Sequence, residues 1–223
     1  MVLSFFKKST AGLDHVVAKS VGMLGDARHS FDLATNSLLA GLDPVAVGED
    51  IRATDQRINE TELDLRSELV VHISVHGSTD IGSVLGLILL LKKIERIGDQ
   101  AKNILDLAEG GISLQGEADI EELLEQRQEI SSFFGEAAQR LSDPLDDSLE
   151  DLAERINVVT ASCQKSIESY LYSDRPGREV VPRAIYHRYL KRIAANLLGV
   201  VRTATEPIQH ADNEDGGSVD TQE

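Results

Sequence analysis

Tryptophan is absent from this 223-residue chain, cysteine occurs once, proline five times, and aromatic residues make up only 4%. A single cysteine, Cys163, excludes an intrachain disulfide and fits a reducing compartment. It falls in a helical pattern and reads as a small buried hydrophobe. The scarcity of proline leaves long stretches free to form unbroken helices. No apolar run approaches the roughly 18 residues that a membrane span requires; the longest, Val84 to Leu91, is interrupted by Gly86. A glycine-rich phosphate loop, a Ser-His-Asp set and a cysteine cluster are all missing. Basic residues are scarce as well. Twenty-two Lys and Arg stand against 38 Asp and Glu, a formal charge of −16. Such a field repels nucleic-acid phosphates and disfavours adsorption to anionic lipid, so no nucleic-acid partner is expected.

What is present is a helix-forming sequence, rich in Leu, Ala, Glu, Ile and Arg and 41% hydrophobic. Six helical segments can be laid out from apolar periodicity and stop signals. The first runs from about Leu13 to Ala40 and stops at Gly41. Asp43-Pro44 supplies an N-cap and a first-turn proline for the second, which ends at Gly77. Thr79 can cap the third, which runs to about Ala108 and stops at Gly110-Gly111. The fourth spans about Ala118 to Leu141. Asp143-Pro144 repeats the Asp-Pro start, and the fifth runs to about Tyr172. After the loop from Ser173 to Gly177, the sixth runs from about Arg178 to Thr205.

Internal similarity gives these helices an organisation. The two Asp-Pro starts lie 100 residues apart, and Lys191-Arg192-Ile193-Ala194 follows Glu95-Arg96-Ile97-Gly98 at an offset of 96. The fold class is therefore all-α, two tandem three-helix bundles of long antiparallel helices. The first bundle occupies residues 1–112, the second 113–210, and an acidic, disordered tail 211–223. The start, Met1 to Lys8, is too short for a secretory signal and is expected to pack as a frayed end on helix one. Gly82, Gly86 and Gly98 lie inside the third helix. Each is about 1 kcal/mol less favourable there than alanine, and close helix–helix approach is the expected compensation.

The chemistry-bearing stretch is Glu95 to Ile104. Glu95, Asp99 and Asn103 are four residues apart, one per turn of a single helix face. On the second helix, Asp55, Asn59 and Glu62 also share a face. If helices two and three are neighbours, these six side chains can meet across one seam. They would offer oxygen donors suited to Mg, Mn, Fe or Zn. The alternative is a polar face held by salt bridges to Arg57, Arg66, Lys93, Arg96 and Lys102. Spacing does not separate the two. His72 and His76, four apart, lack a third ligand and are assigned to the surface. His187 is assigned a structural role.

The string Glu95-Arg96-Ile97-Gly98-Asp99, continued by Ala101 and Asn103-Ile104, resembles the signature of the PhoU family of bacterial phosphate-uptake regulators. Asp55 to Glu62 resembles its second-helix pattern. Asp80 falls where the family has the Asp of a Ser-Asp-Leu-Arg string, with Gly82 in place of the Arg. Tyr170 to Asp174 and Arg188-Tyr189-Leu190 are similar to later signatures. The likeness covers roughly residues 10 to 208. It implies two three-helix bundles and a non-catalytic cytoplasmic protein, with metal clusters bound through carboxylates on helices two and three of each bundle. By position that nominates Asp55, Asn59, Glu62, Glu95, Asp99 and Asn103 for a divalent or trivalent cation, multinuclear or not. The second bundle departs from the pattern. Lys191, Ala195 and Gly199 stand where Glu, Asp and Asn would be, so one site is expected, in the first bundle only. The implied partners are a phosphate transporter ATPase subunit and a membrane sensor histidine kinase, with membrane association through those partners; oligomeric state, a homodimer included, is left open. A divergent PhoU-like accessory or metal-binding protein for another ion transporter is the second reading. A di-metal helical hydrolase or oxidase is the third, disfavoured because no Glu-x-x-His pair is present.

Overall fold

The structure, a computed structural model, describes residues 13–142 and 149–205. Six α-helices run through them: α1 Asp14–Leu39, α2 Pro44–His76, α3 Ile81–Glu109, α4 Ile120–Ser142, α5 Leu149–Leu171 and α6 Gly177–Thr205. A single 3-10 turn, Gly77–Asp80, joins α2 to α3. The expectations for Met1 to Lys8, for the Asp143-Pro144 start and for the tail 211–223 lie outside the described residues.

Local chemistry accounts for the boundaries. The Asp43 carboxylate accepts from the Val45 N–H at 3.0 Å, and Pro44 opens α2. Gly41 and Gly77, at φ of 74° and 76°, turn the chain where an L side chain would be strained. At the start of α3 the residue in the cap position is Asp80, not Thr79, and its side chain makes no cap bond. It is engaged instead by His72 Nε2, 3.1 Å away. Pro182 lies inside α6, in its second turn, where it withholds one backbone donor without ending the helix.

Helices α1, α2 and α3 pack on one another, as do α4, α5 and α6. The two sets also share one continuous core. Its cross-links are α3 against α6 and α1 against α4. Phe31 and Phe134 stack at 5.6 Å across the α1–α4 seam. Beside them Arg127 reaches from α4 to Asp32 at 2.9 Å. In the connection between the sets, the Leu114 N–H donates to the Leu38 carbonyl at 2.9 Å and the Leu114 side chain is buried.

Gly98 sets the spacing of α2 and α3. A Cβ built on it would lie 3.2 Å from Ile58 Cδ1 and 3.7 Å from Asp55 Oδ1. At Gly86 the corresponding neighbour, Thr203 Cγ2 on α6, is at an ordinary 3.7 Å. Cys163 is fully buried, and burial pushes its thiol up to about 12, against a small opposing pull from Lys191. Two outcomes follow. Gly98→Leu should destabilise the protein by about 1–3 kcal/mol in urea unfolding, because α2 must move away from α3. A thiol-exchange reagent should leave the native protein untouched at mildly alkaline pH and titrate one thiol in denaturant.

A candidate carboxylate seam between helices two and three

The antiparallel register brings the predicted residues into one seam, in two levels. At the first, Lys102 Nζ lies 2.6 Å from Asp55 Oδ2 and 3.4 Å from Asp99 Oδ1, so one ammonium joins an acid of α2 to an acid of its own helix. The Asp55 side chain is only 12% exposed and Lys102 is 32% exposed. Burial works against the Lys102 charge, but hydrogen bonding and attraction to Asp55 outweigh it, and the ammonium is held more tightly than in water.

Glu62 lies seven residues beyond Asp55, and Glu95 lies seven residues before Lys102. At 1.5 Å per residue both reach a second level about 10 Å along the seam. Each has its own cation there. Arg66 Nη1 is 3.1 Å from Glu62 Oε1, and Lys92 Nζ is 2.7 Å from Glu95 Oε2. Glu95 Oε2 is buried and has no directed hydrogen bond, so its contact with Lys92 is an ion pair alone. Asn59 and Asn103 are half-buried on the same two helices.

The donor set in this arrangement does not fit a metal. An oxygen-ligated hard cation needs several ligands within about 2.6 Å, and the two levels are far too distant to share one ion. Among the described residues no group of three or more His, Cys, Asp or Glu is placed to hold a metal ion. Each carboxylate of the seam faces an organic cation from the chain itself. Of the cations named from sequence, Arg66 and Lys102 do this. Arg57 pairs instead with Asp26 on α1, and the Lys93 side chain lies over Gly199. Lys92 was missed, although its i,i+3 spacing to Glu95 is visible in the sequence.

Among the described residues the second bundle shows no counterpart to the seam. Lys191 Nζ donates to Gln164 Oε1 at 2.7 Å. Ala195 is exposed. A Cβ at Gly199 would collide with Lys93 Cδ and Cε at 2.8 Å, so a lysine from the first bundle fills the space that a larger residue would take.

Two further polar clusters were not foreseen. His72 is not a surface residue. Its side chain is 9% exposed, it pairs with Asp80 and it stacks on His76 at 4.2 Å. Near the start of α6, Arg183 is buried and donates to Asp119 at 2.9 Å, to Glu117 at 2.8 Å and to the Glu179 carbonyl at 2.6 Å. One turn on, buried His187 donates from Nδ1 to the Arg183 carbonyl at 2.8 Å. Burial lowers the affinity of His187 for a second proton, despite the opposing hydrogen bond, as a structural histidine requires.

Burial tends to raise the Asp119 carboxyl, but the hydrogen bond and charge of Arg183 prevail and the net shift is downward. Folded Asp119 therefore releases its proton more readily than the unfolded chain does. Its stabilisation is complete above the unfolded carboxylate range near ~4 and is lost as pH falls through the lower folded value. Arg183→Met should lower stability at neutral pH by about 1–3 kcal/mol. In urea titrations it should also flatten the loss of stability between about pH 4 and 3 relative to the parent chain.

The family model described as PhoU domain matches residues 21–108, a range that contains the whole seam. Among solved structures, the chain is similar to that titled "Crystal structure of PhoU from Pseudomonas aeruginosa". The identity is 19% and the TM-score 0.72, with 87% of this chain and 96% of that chain covered. A comparison with curated proteins returns no match.

Proposed function

We propose that this chain, whose residues 21–108 match the PhoU domain model and whose fold is similar to that of a solved PhoU, is a non-catalytic, cytoplasmic regulator of phosphate transport and phosphate-starvation signalling. It docks through helix faces on a phosphate transporter ATPase subunit, a membrane sensor histidine kinase, or both. The observation that carries this reading is the PhoU domain over residues 21–108. On its signature face on α3, Glu95 is largely buried and paired with Lys92, while the partly exposed Asp99 shares Lys102 with Asp55. No described helix is long and apolar enough to cross a membrane; in this reading, contact with a membrane component is made through such partners.

The surface suits docking on a basic partner. Glu60 and Asp64 are exposed on α2, interleaved with exposed Leu63, Val70, Val71 and Val75. A face of this kind gives apolar contact area, while the −16 charge steers a basic surface towards it. The second bundle favours one alternative, a divergent PhoU-like protein attached to another ion transporter, because Lys191, Ala195 and Gly199 leave it without the family's carboxylates.

Purified chain should retain the phosphate transporter ATPase subunit or the sensor kinase domain in a pull-down, more weakly as salt rises. A Glu60→Lys, Asp64→Lys double variant should slow association severalfold with little change in Tm. Retention of neither protein contradicts the reading. Retention of a different transporter's ATPase instead selects the alternative.

A further inference from the structure

The seam raises a question that the docking reading does not answer: what holds four carboxylates, in two levels, along the facing sides of two packed helices. Uncompensated, such charges repel and resist burial. Among the described residues, no cluster is arranged to share a metal ion. Asp55, 12% exposed on its side chain, is met at 2.6 Å by an ammonium from the opposite helix, and the same ammonium is 3.4 Å from Asp99.

We infer that Lys102 is the resident cation of this seam: its ammonium takes the place between Asp55 and Asp99 that a divalent ion would need, and it holds α2 to α3 without metal. The inference goes beyond the docking reading and does not rest on it. Geometry carries the argument. A metal ion on Asp55 Oδ2 would sit about 2.0–2.6 Å from that oxygen. Lys102 Nζ is already 2.6 Å from the same atom. Both cannot stay, since two positive centres would then face each other within a few ångström. The lysine is also tethered, so it does not dissociate and needs no free ion in the medium.

The other seam positions are consistent with this. Arg66 and Lys92 answer Glu62 and Glu95 from their own helices. In the second bundle Lys191 is hydrogen-bonded to Gln164, and Lys93 covers Gly199. A lysine or arginine thus stands at each level of the first seam, and in the second bundle one matched position is itself a lysine while a lysine of the first bundle covers another.

The full-length chain, stripped with chelator and then dialysed against Mn²⁺ or Mg²⁺, tests this directly. The expected result is no retained metal and an unchanged Tm. Lys102→Met should lower Tm in metal-free buffer. Mn²⁺ should then restore part of the loss, which NaCl at equal ionic strength should not. Lys102→Arg, which keeps a cation, should stay close to the parent Tm and remain insensitive to metal. Stoichiometric metal on the parent chain, abolished by Asp99→Asn, would overturn the inference, and this arm decides even if Lys102→Met does not fold. So would a Lys102→Met variant that keeps its full Tm in chelator, or one that Mn²⁺ does not rescue. None of these measurements bears on partner binding, so failure here and failure of the docking reading are told apart.

Discussion

The close approach of α2 and α3 at Gly98 is the constraint on which the rest of the first bundle depends. With hydrogen in place of a side chain on α3, Ile58 of α2 comes within 3.2 Å of where a Cβ would be. That distance sets how far Asp55 stands from the α3 backbone and therefore whether Lys102 can reach it. A lysine on the same helix as Asp99 and one turn beyond Gly98 is long enough to span the gap only if the gap is narrow. The glycine costs helix propensity and gains a contact in which apolar packing and an ion pair hold each other in place.

The same arrangement extends outward. Helix α3 is buried against α1 and α2 on one side and against α6 on the other. This accounts for Val84, Leu87, Leu90 and Leu91, which are buried, while Leu85 and Leu89 of the same apolar run stay exposed. Lys93 and Lys102 reach off it, over Gly199 and to Asp55, while Lys92 pairs with Glu95 along α3 itself. The two bundles are consequently coupled through one helix, and a change at Gly199 is felt by Lys93 on α3.

Much of this was legible in the sequence where the signals are local. Asp43-Pro44, Gly41 and Gly77 fix their helix ends by capping, missing donors and positive φ, all of which depend on neighbouring residues. The six carboxylate and amide residues were correctly placed on facing helices because a helical period determines a face. What could not be read is which partner each charge would choose. Arg183 and Asp119 are 64 residues apart, and nothing local joins them. Periodicity gives the side of a helix but not the reach of a lysine, so a metal seam and a lysine-filled seam have the same spacing. The burial of His72 was missed for a related reason: its partner Asp80 lies beyond a helix end, in a turn whose geometry the pattern does not set.

Charge unites the interior and the surface. Lys19, Arg28, Arg52, Arg57, Arg66, Lys92, Lys102, Arg127, Arg155, Arg175 and Arg183 are each engaged with an acid of the same chain. Among the described residues these alone are half of the chain's 22 Lys and Arg. Engaged cations contribute little to the outward field, because each is cancelled within a few ångström. The acids in excess are left facing water, and the potential a partner meets is dominated by them. The seam and the surface are thus two results of one allocation of charge. Basic groups are paired with acids within and between helices, and the acidic remainder gives the exterior a negative potential.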